Sequence, residues 1–213
     1  MPTSIAHAFG GLAAAEGSAT ERGWSRTRVL VFCAVVANLP DLDFLPGALL
    51  GDAGRYHRHF SHSLLATLLV ALAFALWERW RRHGSRGDAV RVGWLAFLVY
   101  GSHLLLDMLV ATPTDTSGVP LFAPFSSARY YTVLHLPAPL ATLLELDIDK
   151  NDHFFHAVFS IRGAEVFLGH ALLFAPLPIV AWLIRRAVEW KRAPRRRSQP
   201  GFAPTAAEAA AED

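Results

Sequence analysis

The sequence predicts an all-α membrane protein, a multi-pass bundle of about five helical segments with a long extracytoplasmic loop. Hydrophobic residues make up 53% of its 213 residues and charged residues only 18%, below the roughly 25% of soluble domains. The arginines and lysines gather beside the apolar runs, at 22–28, 79–91 and 185–197. Such clusters set membrane orientation, so we expect a lipid bilayer and no nucleic acid as partner. The single cysteine, Cys33, excludes a disulfide within the chain.

The first two predicted segments are short. Residues 3–16 form a helix of small residues, in which Gly10 and Gly11 allow close packing against other membrane helices. Residues 29–39 form an apolar helix that ends before Pro40, because proline disfavours helical geometry in the residue ahead of it. This helix is too short to span alone, since about 20 residues are needed. It either extends back through the preceding residues or inserts only in part.

Three further apolar helices follow along the chain. Residues 62–77, extended to residue 80 by a tryptophan, form the third segment, and residues 92–112 form the fourth. Residues 164–184 form the last segment, in which Pro176 and Pro178 predict a kink.

The segments outside these helices differ in character. Residues 113–163 are long for a plain connection and predict an extracytoplasmic cap. Their end, 140–163, is either a solvated acidic loop or part of a site, and Glu165 either caps the last helix or reaches that site. We expect residues 1–191 to form one membrane-embedded domain and residues 192–213 a disordered cytoplasmic tail.

The basic clusters, placed in the cytoplasm, orient every predicted segment. This orientation carries seven ionisable side chains to the outer ends of their segments, at similar depth. They are His7, Asp41, Asp43, His57, His62, His103 and Asp107. Chance would scatter such residues over both sides of the membrane.

These side chains predict a metal site. His103 and Asp107 share one helical face within an apolar span, where ionisable groups are costly and mostly functional. A buried hydrogen bond between these two residues is the alternative. Imidazole and carboxylate suit zinc, manganese or iron without a thiolate. Seven donors exceed one tetrahedral ion, so either two ions share a bridging carboxylate or some residues only orient the ligands. His59 is left out of the site.

Four motifs occur in order along the chain. They are LPDLD at 39–43, HRHFSHS at 57–63, GSHLLLDM at 101–108 and TSGVPLFAPFS at 116–126. With the helix that carries His7, they resemble the YdjM-like family of membrane-bound metal-dependent hydrolases, also described as LexA-binding and inner-membrane-associated. The resemblance covers residues 1–130. It implies a multi-pass protein of the bacterial inner membrane, with the seven residues above as the metal-binding set.

One departure from the family pattern follows Asp107. The residues ATPTDT move Thr116, Gly118 and Pro120 further from that aspartate. Asp115 and Thr116 are therefore weaker candidates for the site.

The family's histidines and aspartates are distantly similar to those of zinc-dependent phospholipase C enzymes, so the resemblance implies phosphoester hydrolysis. The hypothesis is that one or two divalent ions, zinc foremost, activate a water molecule at the extracytoplasmic boundary between membrane and water. That depth favours a lipid or lipid-linked substrate. Asp43 is the candidate general base, and Arg58 either clamps an anionic oxygen or anchors the loop at the interface.

Two other classes of function compete with the hydrolase. The cluster could bind metal for structure, sensing or transport without catalysis, although a transporter would more often show repeated halves. Alternatively, the chain is a scaffold that recruits a cytoplasmic partner through its arginine-rich tail.

Overall fold

The computed structural model describes residues 3–16, 24–52, 55–82, 85–110, 118–132 and 160–197. Seven α-helices lie within these ranges: α1 Ser4–Glu16, α2 Arg26–Asn38, α3 Phe44–Leu49, α4 Leu64–Arg82, α5 Arg86–Val110, α6 Ile161–Phe174 and α7 Pro176–Arg197. Two 3-10 turns, Pro40–Asp43 and Phe60–His62, precede α3 and α4. The described ranges hold no strand beyond an isolated bridge between Val119 and Tyr130. The predicted all-α fold is confirmed.

Two or three candidate membrane spans lie in the described part of the chain. In the described part of the chain, Arg86–Leu109 and Gly163–Lys191 are long and apolar enough to cross a membrane. Thr27–Asn38 and Pro40–Leu49, bent by 43°, form a third span if they are counted together. The helix α1 is too short, and α4 ends in a charged turn. The count of about five segments is therefore not confirmed.

Prolines end helices where the sequence predicts. The helix α2 ends at Asn38, and Pro40 opens the 3-10 turn that follows. The helix α6 ends at Phe174, and Pro176 begins α7. This helix continues to Arg197, whereas the sequence placed the start of the disordered tail at residue 192. Residues 198–213 lie outside the described residues, as does most of the predicted cap.

The short helix α1 packs against α2, α5, α6 and α7, so it lies at the centre of the bundle. Its two glycines make this possible. A Cβ atom on Gly11 would lie 3.0 Å from Ala37 Cβ and 3.0 Å from Val99 Cγ1. A Cβ atom on Gly10 would lie 2.6 Å from Leu106 Cδ1. Close packing at both glycines is therefore confirmed, and it brings α1 within side-chain reach of α2 and α5.

An ion pair joins α2 to α4 at the end of the bundle where both the N-terminus of α2 and the C-terminus of α4 lie. Arg28 Nη2 lies 3.3 Å from Glu78 Oε2, and the Glu78 side chain is buried. The Arg28 guanidinium also lies 3.8 Å from the centre of the Trp24 ring. The pair offsets the cost of burying Glu78 in an apolar region.

We expect Gly11→Val to destabilise the protein by about 1–3 kcal/mol, because the added methyl groups would collide with α2 and α5. Gly101→Val is the matched control, since a Cβ atom on Gly101 meets no atom within 4 Å. Thermal unfolding of both variants in detergent measures the difference. Equal melting temperatures for the two variants would contradict the close approach of α1.

Candidate metal centre

The fold brings all seven predicted residues together. The helix α1 supplies His7, and the turn after α2 supplies two aspartates. The turn before α4 supplies two histidines, and α5 supplies a histidine and an aspartate. Three groups of ligand atoms each lie within 4.8 Å: His7, His103 and Asp107; Asp41, His62 and His103; and Asp43, His57 and His62.

The centre of the cluster has four donor atoms. His62 Nε2 lies 3.2 Å from His103 Nε2. Asp41 Oδ1 lies 3.8 Å from the His62 nitrogen and 3.5 Å from the His103 nitrogen. Asp107 Oδ2 lies 3.5 Å and 3.9 Å from the same two atoms. Donors around a tetrahedral zinc ion are about 3.3 Å apart, given bonds of roughly 2.0 Å. The five distances given are close to this spacing, so these residues are candidate ligands of one tetrahedral ion.

The hydrogen bonds of the two imidazoles direct their lone pairs into this centre. His103 Nδ1 donates to the Ala37 carbonyl oxygen at 2.8 Å. His62 Nδ1 lies 3.2 Å from Asp43 Oδ2, which accepts its N–H. When both rings are neutral, with their protons on Nδ1, both Nε2 atoms present lone pairs. A cation between them could then bind to both nitrogens.

A second donor set uses the other oxygens of the same two carboxylates. His7 Nε2 lies 3.7 Å from Asp107 Oδ1 and 4.0 Å from Asp41 Oδ2. The His7 ring stacks on the His103 ring, with 3.6 Å between ring centres. Asp107 Oδ1 is buried and has no hydrogen-bond partner among the described residues. His7 and the second oxygens of the two aspartates could therefore hold a further cation.

Asp43 belongs to the third group of possible ligands, with His57 and His62. Its Oδ1 accepts from His57 Nδ1 at 2.8 Å, and its Oδ2 accepts from the Arg58 backbone N–H at 3.1 Å. The Ser61 hydroxyl donates to the same Oδ2 at 2.5 Å. Both oxygens are therefore occupied by donors from the loop before α4. The contacts are those of a carboxylate that orients imidazoles.

His57 is held between Asp43 and Phe44. The Phe44 ring stacks on the imidazole, with 3.7 Å between ring centres. Burial lowers the pKa of His57, and the hydrogen bond to Asp43 acts in the opposite direction. The Nε2 atom is buried, and no described residue forms a hydrogen bond with it. His57 is thus a neutral imidazole whose lone pair, on Nε2, is uncommitted.

Arg58 points into the cluster. Its φ of 57° lies in the left-handed region, which non-glycine residues rarely adopt. This backbone directs the N–H to Asp43 while Nε lies 3.2 Å from Asp107 Oδ2. Arg58 is only 6% exposed, so it does not anchor the loop at a membrane interface. That alternative is wrong.

Two contacts of the site escaped the sequence reasoning. The Tyr100 hydroxyl donates to the Ser61 carbonyl oxygen at 2.6 Å and fixes the loop before α4. Tyr100 lies three residues before His103 on α5, so helical spacing could have found it. The Ala37 carbonyl that orients His103 is backbone and leaves no signal in the sequence.

Ser61 and Ser63 have different roles. The Ser63 hydroxyl accepts from the Ala66 N–H at 3.1 Å and so caps α4. The Ser61 hydroxyl instead donates to Asp43 and lies 3.0 Å from His62 Nδ1. His59 is exposed, and no ligand group among the described residues includes it, as predicted.

The segment 118–132 covers the ends of α4 and α5. Its Leu121 carbonyl accepts from the Leu64 N–H at 2.9 Å, and the Thr132 N–H donates to the Met108 carbonyl at 3.1 Å. The predicted candidates Asp115, Thr116 and 140–159 lie outside the described residues.

Glu165 is exposed and does not cap the last apolar stretch. Ser160 is the cap of α6, because its hydroxyl accepts from the Gly163 N–H at 2.9 Å.

Comparison with known protein families matches residues 1–188 to the YdjM inner membrane protein family. The chain belongs to this family. The match extends beyond residue 130, where the recognisable motifs end, and includes α6 and most of α7. The searches of curated proteins and of solved structures found no significant match. Membership supports an inner-membrane location for the bundle and leaves its chemistry to be argued from the site.

We expect Ser61→Ala and Ser63→Ala to change different properties of the protein. Loss of the Ser63 cap should lower stability by about 1 kcal/mol and leave metal affinity unchanged. Loss of the Ser61 hydroxyl should weaken metal binding roughly 10-fold, because Asp43 and His62 lose their common partner. Thermal unfolding and metal titration of both variants provide the measurements. Equal metal affinities in the two variants would contradict the role given to Ser61.

Proposed function

We propose that this YdjM-family protein is a membrane-bound hydrolase that holds two divalent ions, zinc foremost. Its substrate is a phosphoester or ester of a lipid or a lipid-linked molecule. The observation that carries the proposal is the pair of imidazole nitrogens 3.2 Å apart, with an oxygen of Asp41 and one of Asp107 beside them. A buried arrangement of imidazoles and carboxylates favours a bound cation.

The two donor sets differ in completeness. The central set offers four protein donors, which suits a tetrahedral ion. The second set offers His7 Nε2 and one oxygen from each aspartate, which leaves a coordination position open. When bound, a divalent ion at such a position lowers the pKa of a water and polarises a phosphoryl or carbonyl oxygen.

Residues around the donor sets supply the other functions. We assign His57 Nε2 as the proton acceptor, because Asp43 holds its Nδ1–H and the Nε2 lone pair is uncommitted. This assignment makes His57 the general base in place of Asp43, the residue predicted from the sequence. Asp43 then orients the His57 ring. The Arg58 guanidinium is placed at the cluster by Asp107, and its planar fork suits an anionic oxygen of the substrate.

Apolar side chains beside the site favour a lipid substrate. Leu42 is exposed between Asp41 and Asp43, and Phe60 is exposed two residues before His62. In segment 118–132, Phe125 is 84% exposed. Exposed apolar groups around buried polar donors suit an approach from a lipid phase.

One observation supports a non-enzymatic alternative. The central set has four protein donors, and a closed coordination shell is typical of structural metals. A protein that binds metal only there would stabilise its fold without hydrolysing a substrate. Metal content and activity together distinguish the two functions.

We expect the purified protein to contain about two divalent ions per chain. In His62→Ala and in His103→Ala, the metal content should fall below about one ion per chain. Either change removes a donor from the central set and leaves carboxylates uncompensated. His59→Ala is the matched control, since His59 is exposed on the same loop. Elemental analysis in detergent measures the content. Unchanged metal in both variants would show that the cluster does not hold the ions.

We expect hydrolysis of a phosphodiester or ester lipid in mixed micelles to be lost with a chelator and restored by zinc. His57→Gln should lower kcat by roughly 10²–10⁴-fold while metal content stays unchanged, because the proton acceptor is removed. Asp43→Asn should lower kcat less, since the imidazole remains but loses its orienting partner. If the metal-loaded protein hydrolyses none of the phosphodiesters, phosphomonoesters and esters tested, the structural alternative would be favoured.

A further inference from the structure

A cavity of about 690 Å³ lies between α1, α2 and α7, away from the metal centre. Its walls are apolar and include Leu12, Val29, Leu30 and Ile179. The metal centre takes His7 from the first half of α1, whereas the cavity lies along the last two turns. Nine residues separate His7 from Glu16, which is about 13 Å along the helix.

The far end of this cavity is basic and aromatic. Trp24, Trp182, Arg185 and Arg186 line it together with Glu16. Tryptophan is enriched where a membrane meets water, so this end of the cavity suits the headgroup region. The arginines belong to the cluster at 185–197, which the distribution of basic residues assigns to the cytoplasmic side.

The two arginines at this end differ in their ion pairs. Arg185 Nη1 lies 3.3 Å from Glu16 Oε2, and Arg185 Nε lies 3.7 Å from Glu189 Oε1. The Arg186 guanidinium lies 5.5 Å from the centre of the Trp182 ring, and no carboxylate among the described residues pairs with it. The Arg186 guanidinium can therefore bind an anionic group at the mouth of the cavity.

We propose that this cavity seats a phospholipid with an anionic headgroup, taken from the leaflet on the side of the basic clusters. An acyl chain lies along the apolar walls, and the phosphate lies at Arg186. The stretch Gly163–Lys191 forms one wall of the cavity. Only 11% of its most apolar part is buried within the chain, so the rest of that part is available to contact lipid. Basic pockets between membrane helices on the cytoplasmic side select such headgroups. The seat is independent of the hydrolase site.

The test uses the full-length protein in a mild detergent, with phosphatidylglycerol and phosphatidylcholine as probes. Native mass spectrometry counts bound lipid, and thermal unfolding gives its affinity. We expect phosphatidylglycerol to bind and to raise the melting temperature more than phosphatidylcholine does. Arg186→Gln should weaken that binding about fivefold. Arg81→Gln is the matched control, because Arg81 also lies over a tryptophan, Trp77, but does not line the cavity.

A second variant tests the apolar wall without changing charge. Ile179→Trp places a larger side chain in the cavity wall and should displace the lipid while Arg186 is retained. Equal binding of the two lipids, or equal losses in Arg186→Gln and Arg81→Gln, would overturn the proposal. The proposal would also be overturned if the protein were a dimer that Arg186→Gln separates into monomers while lipid binding stays unchanged. The cavity would then hold part of a second copy of the chain. Metal content serves as a separate readout, which the proposal expects to stay constant.

Discussion

The desolvation of three aspartates is the constraint on which the site geometry depends. Asp41, Asp43 and Asp107 share one largely buried cluster, and Arg58 supplies a single positive charge to it. With neutral imidazoles, three carboxylates and one guanidinium leave two uncompensated negative charges. Such charge in a low-dielectric interior is costly unless a cation or a proton accompanies it. The cluster therefore favours a bound cation or proton.

The hydrogen bonds around the cluster follow from the same constraint. The N–H groups of the site histidines point outward, to Asp43 from His57 and His62 and to the Ala37 carbonyl from His103. Outward protons leave inward lone pairs, which is the state in which imidazole binds a metal or accepts a proton. Both oxygens of Asp43 accept hydrogen bonds from these surrounding groups. Asp41 and Asp107 lie further inside the cluster, and each directs one oxygen to each of the two donor sets.

Helix packing makes this geometry possible. His7 reaches the cluster because Gly10 and Gly11 let α1 lie close to α2 and α5. The same helix continues to the cavity proposed to seat a phospholipid, so α1 contributes to both ends of the bundle. One end is acidic and rich in imidazole, and the other is basic and rich in tryptophan. That polarity along one short helix agrees with an orientation set by basic residues.

Local physical chemistry determined much of this protein from its sequence. Proline sterics located the breaks at Pro40 and Pro176, and the cost of ionisable groups in apolar segments marked His103 and Asp107. The family motifs, together with that orientation, selected the seven clustered residues and left out His59. The count of about five membrane segments is not confirmed, because α1 has only 13 residues and a charged turn ends α4.

Only the tertiary structure decided which atoms face one another. It gave Asp43 hydrogen bonds to both of its oxygens, turned Arg58 inward through a left-handed backbone, and made Ser63 the cap of α4. It also added Tyr100 and the Ala37 carbonyl. These outcomes depend on the approach of segments tens of residues apart and on single backbone angles. Residue type and spacing do not encode either, so the sequence determined the members of the site and the fold determined their roles.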